Sequence, residues 1–288
     1  MEQAHRLGRV QGYLGGRCLK TIGVFDSGVG GLSVLRALLL EIPEARYVYL
    51  ADGAHAPYGE RSAQQVTERA QHITARLRKD QAVDALVVAC NTATAQAIES
   101  LRQQHPDWPI VGVEPALKPA AALSQTGHIG VLATRGTVES ERFARLRTRI
   151  ESESSRALHF NCQACDGLAD AIERGDETTT RALCARYLDA LRAHASTPDP
   201  MDTLVLGCTH YPFAADILQA LSGPDVRLVE TGVPVARRTR AVLGLPETHP
   251  SDGATPQITL LSTGDPAPLA QAAARWLGTT VGATHISV

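Results

Sequence analysis

From Thr21 onward, short apolar runs alternate with segments whose apolar residues recur every three to four positions. This is the pattern of parallel strands joined by crossover helices. Thr21–Phe25 reads as a buried strand, and Gly28, Gly30 and Gly31 then lead into a helix over Leu32–Ile42 that Pro43 closes. The pattern next predicts a strand at Tyr47–Ala51, a helix over Ala63–Lys79 and a strand at Ala85–Ala89 ending at Cys90, with Asn91 or Thr92 capping the helix after it. Ile110–Val113 is a further strand, and Pro115 and Pro119 break the pattern before a helix of small residues. Near the end of the chain, Arg227–Val229 and Ile258–Leu261 read as strands and Pro268–Trp276 as a helix. The expected fold class is α/β.

Two segments recur in the same order. Ile22–Ser27 reappears 107 residues later as Ile129–Thr134, and Asp84–Thr92 reappears 118 residues later as Asp202–His210, with Cys90 and Cys208 at matching places. With 288 residues available, the repeat implies two pseudo-symmetric lobes, each a mostly parallel sheet flanked by helices. The expected boundaries are an N-terminal extension at 1–20, a first lobe of 21–115 plus 227–288, and a second lobe of 116–226. Ligands of open α/β sheets sit at the carboxyl ends of the strands. Cys90, Cys208, Asp26 and Asp52 all fall there, and facing lobes bring the two cysteines to one crevice.

Composition narrows the partners. A net charge of −2 and 12 aromatic residues leave no basic excess for phosphates and few platforms for stacked bases, so nucleic acid is not expected. No run approaches membrane-spanning length and no signal-like segment opens the chain, so the expectation is a cytoplasmic protein with reduced cysteines. The cationic residues are 25 arginines and three lysines, which gives Schiff-base chemistry few amines. Lys118 is the tempting one for pyridoxal phosphate, but no clear phosphate loop adjoins it.

A thiol between a strand and a helix N-terminus gains from the positive end of the helix dipole. Two such thiols opposed across a small pocket suit a reaction in which one takes a proton from carbon and the other returns it from the opposite face. That inverts a stereocentre without a cofactor. His210 is placed to relay protons to Cys208, and Asp26 and Asp52 to orient Cys90 or to bind an ammonium group. Ser27, Tyr58, Gly59, Asn91, Thr92 and Thr209 offer donors for a carboxylate. Two other motifs are weaker. Gly28-Val29-Gly30-Gly31 approximates a dinucleotide loop but has Ser33 at the third glycine position. Cys162-Gln163-Ala164-Cys165 lacks the second ligand pair of a zinc site and reads as a redox dithiol or as core thiols on a helix face. No metal site is expected.

The chain resembles the cofactor-independent glutamate racemases of bacteria. The resemblance is carried from about residue 21 to 245 by Phe25-Asp26-Ser27-Gly28-Val29-Gly30-Gly31, Ala51-Asp52 with Pro57-Tyr58-Gly59, Ala89-Cys90-Asn91-Thr92, Ala133-Thr134-Arg135-Gly136-Thr137 and Gly207-Cys208-Thr209-His210-Tyr211-Pro212. It implies interconversion of L- and D-glutamate for peptidoglycan, with Cys90 and Cys208 as acid/base thiols and Asp26, Asp52 and His210 as auxiliary groups. Asp26-Ser27, Tyr58-Gly59, Asn91-Thr92 and Thr209-His210 match the substrate contacts. The family often has a glutamate about eight residues after a second-lobe cysteine; counting from Cys162 gives Asp170, and counting from Cys165 gives Glu173. Val235-Ala236-Arg237-Arg238 resembles members whose N-terminal extension is linked to activation by a UDP-linked cell-wall precursor. Such an effector and a homodimer are therefore expectations. The alternatives are a racemase of aspartate or a related acidic amino acid, and a two-lobed amino-acid-binding protein without turnover.

Overall fold

The structure, a computed structural model, describes residues 13–14, 17–193, 200–246 and 256–288. β1 (Tyr13–Leu14) and β2 (Arg17–Cys18) pair antiparallel ahead of the first lobe. The rest of the expected extension, 1–12 and 15–16, lies outside the described residues.

The first lobe runs β3 (Thr21–Asp26), α1 (Leu32–Glu41), β4 (Arg46–Ala51), α2 (Ala63–Asp80), β5 (Ala85–Val88), α3 (Asn91–Gln104) and β6 (Ile110–Gly112). The second follows with α4 (Leu117–Leu123), β7 (His128–Ala133), α5 (Arg135–Val138), α6 (Glu141–Glu153), β8 (His159–Ala164), α7 (Leu168–Glu173), α8 (Glu177–Ala193), β9 (Thr203–Gly207), α9 (Ala215–Ser222) and β10 (Arg227–Val229). The chain then returns through α10 (Gly232–Val242), β11 (Gln257–Ser262), α11 (Pro266–Leu277) and β12 (Ala283–His285). The larger sheet has the order β12-β11-β4-β3-β5-β6 and the smaller β10-β9-β7-β8, and every pairing in both is parallel. The expected architecture of two parallel-sheet lobes flanked by helices is therefore observed.

The central strands are buried on both faces, which explains their unbroken apolar runs. Along β3, Ile22 and Val24 face a core shared with α1, α10 and α11, and Phe25 faces a core shared with α2 and α3. The smaller sheet is covered in the same way, by α7, α8 and α9 on one face and by α4 and α6 on the other. Among the described residues, no helix is long and apolar enough to cross a membrane.

The internal repeat extends to the residue register. Ile22 pairs with Ala85 and Val24 with Val87; at the matching places, Ile129 pairs with Thr203 and Val131 with Val205. Thus β4-β3-β5-β6 and β8-β7-β9-β10 are the same unit used twice. This equivalence overturns one expected boundary. Arg227–Val229, assigned to the first lobe, pairs with β9 and forms the edge of the second sheet as the counterpart of β6, and the chain crosses back only after it. The cap of α3 also differs from expectation. Cys90 itself is the N-cap, and its sulfur accepts the Ala93 N–H at 3.4 Å.

The repeat also duplicates an aspartate ahead of β5 and β9. Asp84 accepts the Thr21 N–H at 2.8 Å, and Asp202 accepts from Ser124 Oγ and the Gln125 N–H at 2.6 Å and from the Thr126 N–H at 3.0 Å. Burial opposes the Asp202 charge, but these donors pull its pKa down to about 2. Asp202→Ala is expected to cost about 2–3 kcal/mol at pH 7, because these three donors and the Thr203 hydroxyl, which donates at 2.9 Å, lose a charged acceptor. An unfolded aspartate titrates at about 3.9. A carboxylate whose pKa is depressed in the folded state contributes fully above about pH 5, and the contribution fades as pH falls toward the folded value. Urea unfolding at pH 7 and pH 3 should therefore show a smaller cost at the lower pH; an equal cost at both would contradict the assignment.

Candidate active site

The carboxyl ends of β3, β5, β7 and β9 converge between the lobes on one cavity. Ser27, Tyr58, Gly59, Cys90, Asn91 and Thr92 line it from the first lobe, and Cys208, Thr209 and His210 from the second. The cavity holds about 30 Å³. That admits about two waters but not an amino acid, so a ligand requires the lobes to part and close again.

The two thiols are supported differently. Cys90 caps α3 and donates to Ser27 Oγ at 3.7 Å. Burial pushes its pKa up to about 12, with the Asp26 charge adding to the rise and the Ala93 N–H and Ser27 hydroxyl holding it back. Cys90 is therefore protonated at neutral pH. Cys208 is followed not by an α-helix but by a short 3-10 turn, Tyr211–Ala214, so the expected helix-dipole support is weaker here. Its sulfur lies instead 3.8 Å from His210 Nδ1, and His210 Nε2 lies 2.6 Å from Glu173 Oε2. Burial opposes an imidazolium, but the hydrogen bonds to Cys208 and Glu173 and the charge of Glu173 raise the His210 pKa well above its ordinary value. Burial likewise opposes the Glu173 carboxylate, yet His210 and the Val29 N–H hold its pKa below the usual range. The pair is thus imidazolium and carboxylate, with the positive group beside Cys208.

Asp26 is fully buried one layer behind the cavity wall. It accepts the Gly28 N–H at 3.1 Å and lies 3.4 Å from Thr209 Oγ1. Burial raises its pKa, against the charge of His210 and the N–H groups of Gly28 and Gly31. Asp52, expected beside the reacting atoms, is absent from the wall. Arg69 grips it at 2.8 and 3.0 Å, Thr263 donates at 2.7 Å, and Tyr58 donates at 2.5 Å. Burial opposes its charge, but the Arg69, Tyr58 and Thr263 hydrogen bonds leave its pKa lowered. Asp52 therefore anchors Tyr58 and with it the Tyr58-Gly59 wall.

The glycine turn does not form a dinucleotide loop. A Cβ at Gly28 would overlap the Glu173 carboxylate, and one at Gly30 would overlap the His210 ring, so these glycines are the floor on which the second lobe's ion pair rests. The Cys162/Cys165 motif lies on β8 and just beyond it rather than on a helix. Residues three apart on a strand point to opposite faces; Cys162 packs in one core and Cys165 in the other, which excludes a paired dithiol. Cys165 borders the cavity. Among the described residues, no cluster of three or more metal-ligating side chains occurs. Lys118 is exposed on α4 and does not line the cavity.

The open choice in the second lobe resolves to Glu173, because Asp170 pairs with Arg174 at 2.7 Å while Glu173 holds His210. Thr134 was not singled out as a site residue. Its hydroxyl meets that of Thr92 at 2.9 Å across the lobes, and the repeat could have found it, since Thr134 is the counterpart of Ser27. Asn91 carries a further signal: both polar atoms of its buried amide lack a hydrogen-bond partner among the described residues. Leaving such atoms unpaired costs about 1–3 kcal/mol each, and a polar ligand in the cavity would recover it.

Two parallel-sheet α/β lobes that present matched thiols to one cavity define the class. A family profile described as Asp/Glu/Hydantoin racemase matches residues 27–241, and the chain belongs to this family. It is 43% identical over 247 residues to the glutamate racemase of Pseudomonas entomophila, covering 85% of this chain and 89% of that protein. Glutamate racemase isoform RacE1 of Bacillus anthracis superposes with a TM-score of 0.80 at 29% identity, covering 93% of this chain and 98% of that one. The Escherichia coli glutamate racemase, solved with L-glutamate and the activator UDP-MurNAc-ala, superposes with a TM-score of 0.78 at 31% identity, covering 94% and 99%.

Gly30→Ala is expected to reduce racemase turnover about 100-fold, the loss that a displacement of roughly 1 Å causes in an acid/base constellation. The urea midpoint should change little, because each lobe keeps its own core. Turnover within two-fold of the parent would contradict the role given to this close approach.

Proposed function

We propose that the chain interconverts L- and D-glutamate by 1,1-proton transfer between Cys90 and Cys208. The observation that carries this reading is the presence of one thiol from each half of a duplicated fold on the walls of one cavity. For one enantiomer, a thiolate on one wall removes the Cα proton, the carbon flattens to a carbanion, and the thiol on the other wall delivers its proton to the opposite face. The substrate leaves inverted, with the protonation of the two sulfurs exchanged. For the other enantiomer the roles reverse. Both proton carriers are the protein's own side chains.

The flanking groups support these roles. Cys90, held protonated by burial and by Asp26, is an acid in the resting enzyme. The His210 imidazolium favours negative charge on the Cys208 side, and Glu173 keeps that imidazolium charged. The unpaired Asn91 amide and the hydroxyls of Ser27, Thr92 and Thr209 offer donors to carboxylates. Glutamate as the substrate is supported by relatives named glutamate racemase and by the L-glutamate in the E. coli structure. The product suits peptidoglycan synthesis, and a reducing cytoplasm suits thiols that must stay free.

The reading extends to activation by a UDP-linked cell-wall precursor and to a homodimer. A groove of about 230 Å³ lined by Lys118, Arg149 and Arg238 supplies cations for a diphosphate, apart from the cavity of the thiols. UDP-MurNAc-L-alanine at saturating concentration should raise kcat/KM at least about ten-fold, since allosteric couplings commonly span 5–150-fold. An unchanged kcat/KM would remove the effector from the proposal.

In heavy water, L-glutamate converted to D-glutamate should carry deuterium at Cα, and Cys90→Ser and Cys208→Ser should each lower kcat by about 10²–10⁴, as losing a general acid or base does. Chiral chromatography with mass detection reads both. Original hydrogen retained in the product would falsify the two-thiol mechanism.

A further inference from the structure

Ser33, the residue that breaks the dinucleotide fingerprint, is buried in the first turn of α1. Its hydroxyl lies within hydrogen-bond distance of two carbonyls, Gly30 of its own turn at 2.9 Å and Thr209 of the second lobe at 2.8 Å. A hydroxyl has a single proton to give. Gly30 is the resident acceptor, of the kind that serine hydroxyls commonly find within a helix. The Thr209 carbonyl comes within reach only where the lobes meet.

The same turn receives the rest of the second lobe's apparatus. Thr209 Oγ1 lies against Asp26, the His210 ring leaves no room for a Cβ at Gly30, and Glu173 Oε2 takes the Val29 N–H at 3.4 Å. Thr209 is the peptide unit between Cys208 and His210, so holding its carbonyl fixes the relation of sulfur to imidazole. Among the described residues, the hydrogen bonds of the Cys90 sulfur are to Ser27 and Ala93, both of the first lobe.

We propose that Ser33 is a positioning residue for the Cys208 half of the site: by donating to the Thr209 carbonyl when the lobes close, it holds His210 against Cys208 from across the cleft. When the lobes part, the hydroxyl turns to Gly30 and loses nothing, so the clasp adds no barrier of its own to opening. The assignment rests on the racemase reading of this cavity, and it makes the two thiols unequal in a way the duplicated backbone does not. Cys208 is armed by closure, whereas Cys90 is armed within its own lobe.

The test reads the closed site itself, by 1H–15N spectra of the histidine side chains in the full-length protein without substrate, with His210 assigned by comparison with His210→Gln, and by glutamate turnover. In Ser33→Ala, the His210 ring nitrogens should move from imidazolium toward neutral-ring shifts, and kcat should fall about five-fold, the change that loss of one hydrogen bond produces, with KM changed less. Ser33→Thr, which keeps the donor, should restore both and also guards against a folding defect in the alanine variant. His210 shifts that stay at the parent values in Ser33→Ala overturn the assignment. Because the spectra need no substrate, shifted His210 nitrogens in a protein that does not turn over glutamate count against the glutamate reading alone. Unshifted nitrogens with normal turnover count against Ser33 alone.

Discussion

The site depends on the ion pair between His210 and Glu173, which is built on one lobe and seated on a glycine turn of the other. Both groups are largely buried, and a buried charge is tolerable only beside its partner. Removing one member of such a pair commonly costs about 3–5 kcal/mol, because the other is left uncompensated. Seating the pair on Gly28 and Gly30 excludes side chains from the contact, and it ties the charge state beside Cys208 to the distance between the lobes. Under the proposed mechanism, lobe closure and acid/base competence thereby become one event.

Duplication places one thiol from each half on a shared cavity, as the proposed two-thiol racemisation needs. The two halves share strand order and register, so each thiol leaves its sheet at the same height and points into the same gap. The surroundings then break the symmetry. The counterpart of Asp26 is Ala133, and the counterpart of Thr92 is His210. The first lobe surrounds its thiol with burial and a buried carboxyl, which favour the protonated sulfur against the opposing pull of the helix N–H groups, whereas the second supplies an imidazolium. The proposed reaction is chemically symmetric, yet the two walls it needs are electrostatically different.

Much of this was legible in the amino-acid pattern because parallel strands buried on both faces must be continuous in apolar residues. The strands and both cysteines stand out for that reason, and the repeat follows from comparing such runs. What was not legible depended on contacts between elements. Glu173 and Asp170 share one helix, and the chain reaches it through Gly167 in the left-handed conformation at φ 75°, so counting from a cysteine could not tell which carboxylate faces His210. Asp52 ends a strand at the same rim as Asp26, and only the approach of Arg69, 17 residues away, and Thr263, 211 residues away, turns it into a structural anchor. Arg227–Val229 reads as a strand in either lobe, and pairing alone assigns it. The Cys162/Cys165 spacing suggested a dithiol until strand parity placed the two sulfurs on opposite faces.

The most direct test of the central claim is a crystal structure with glutamate bound in the closed cavity. The account requires the Cys90 and Cys208 sulfurs to lie on opposite faces of Cα, each at about 3–3.5 Å, the separation of a near-attack geometry. Glutamate bound with both sulfurs on one side of Cα, or with either too far away to reach it after closure, would contradict it.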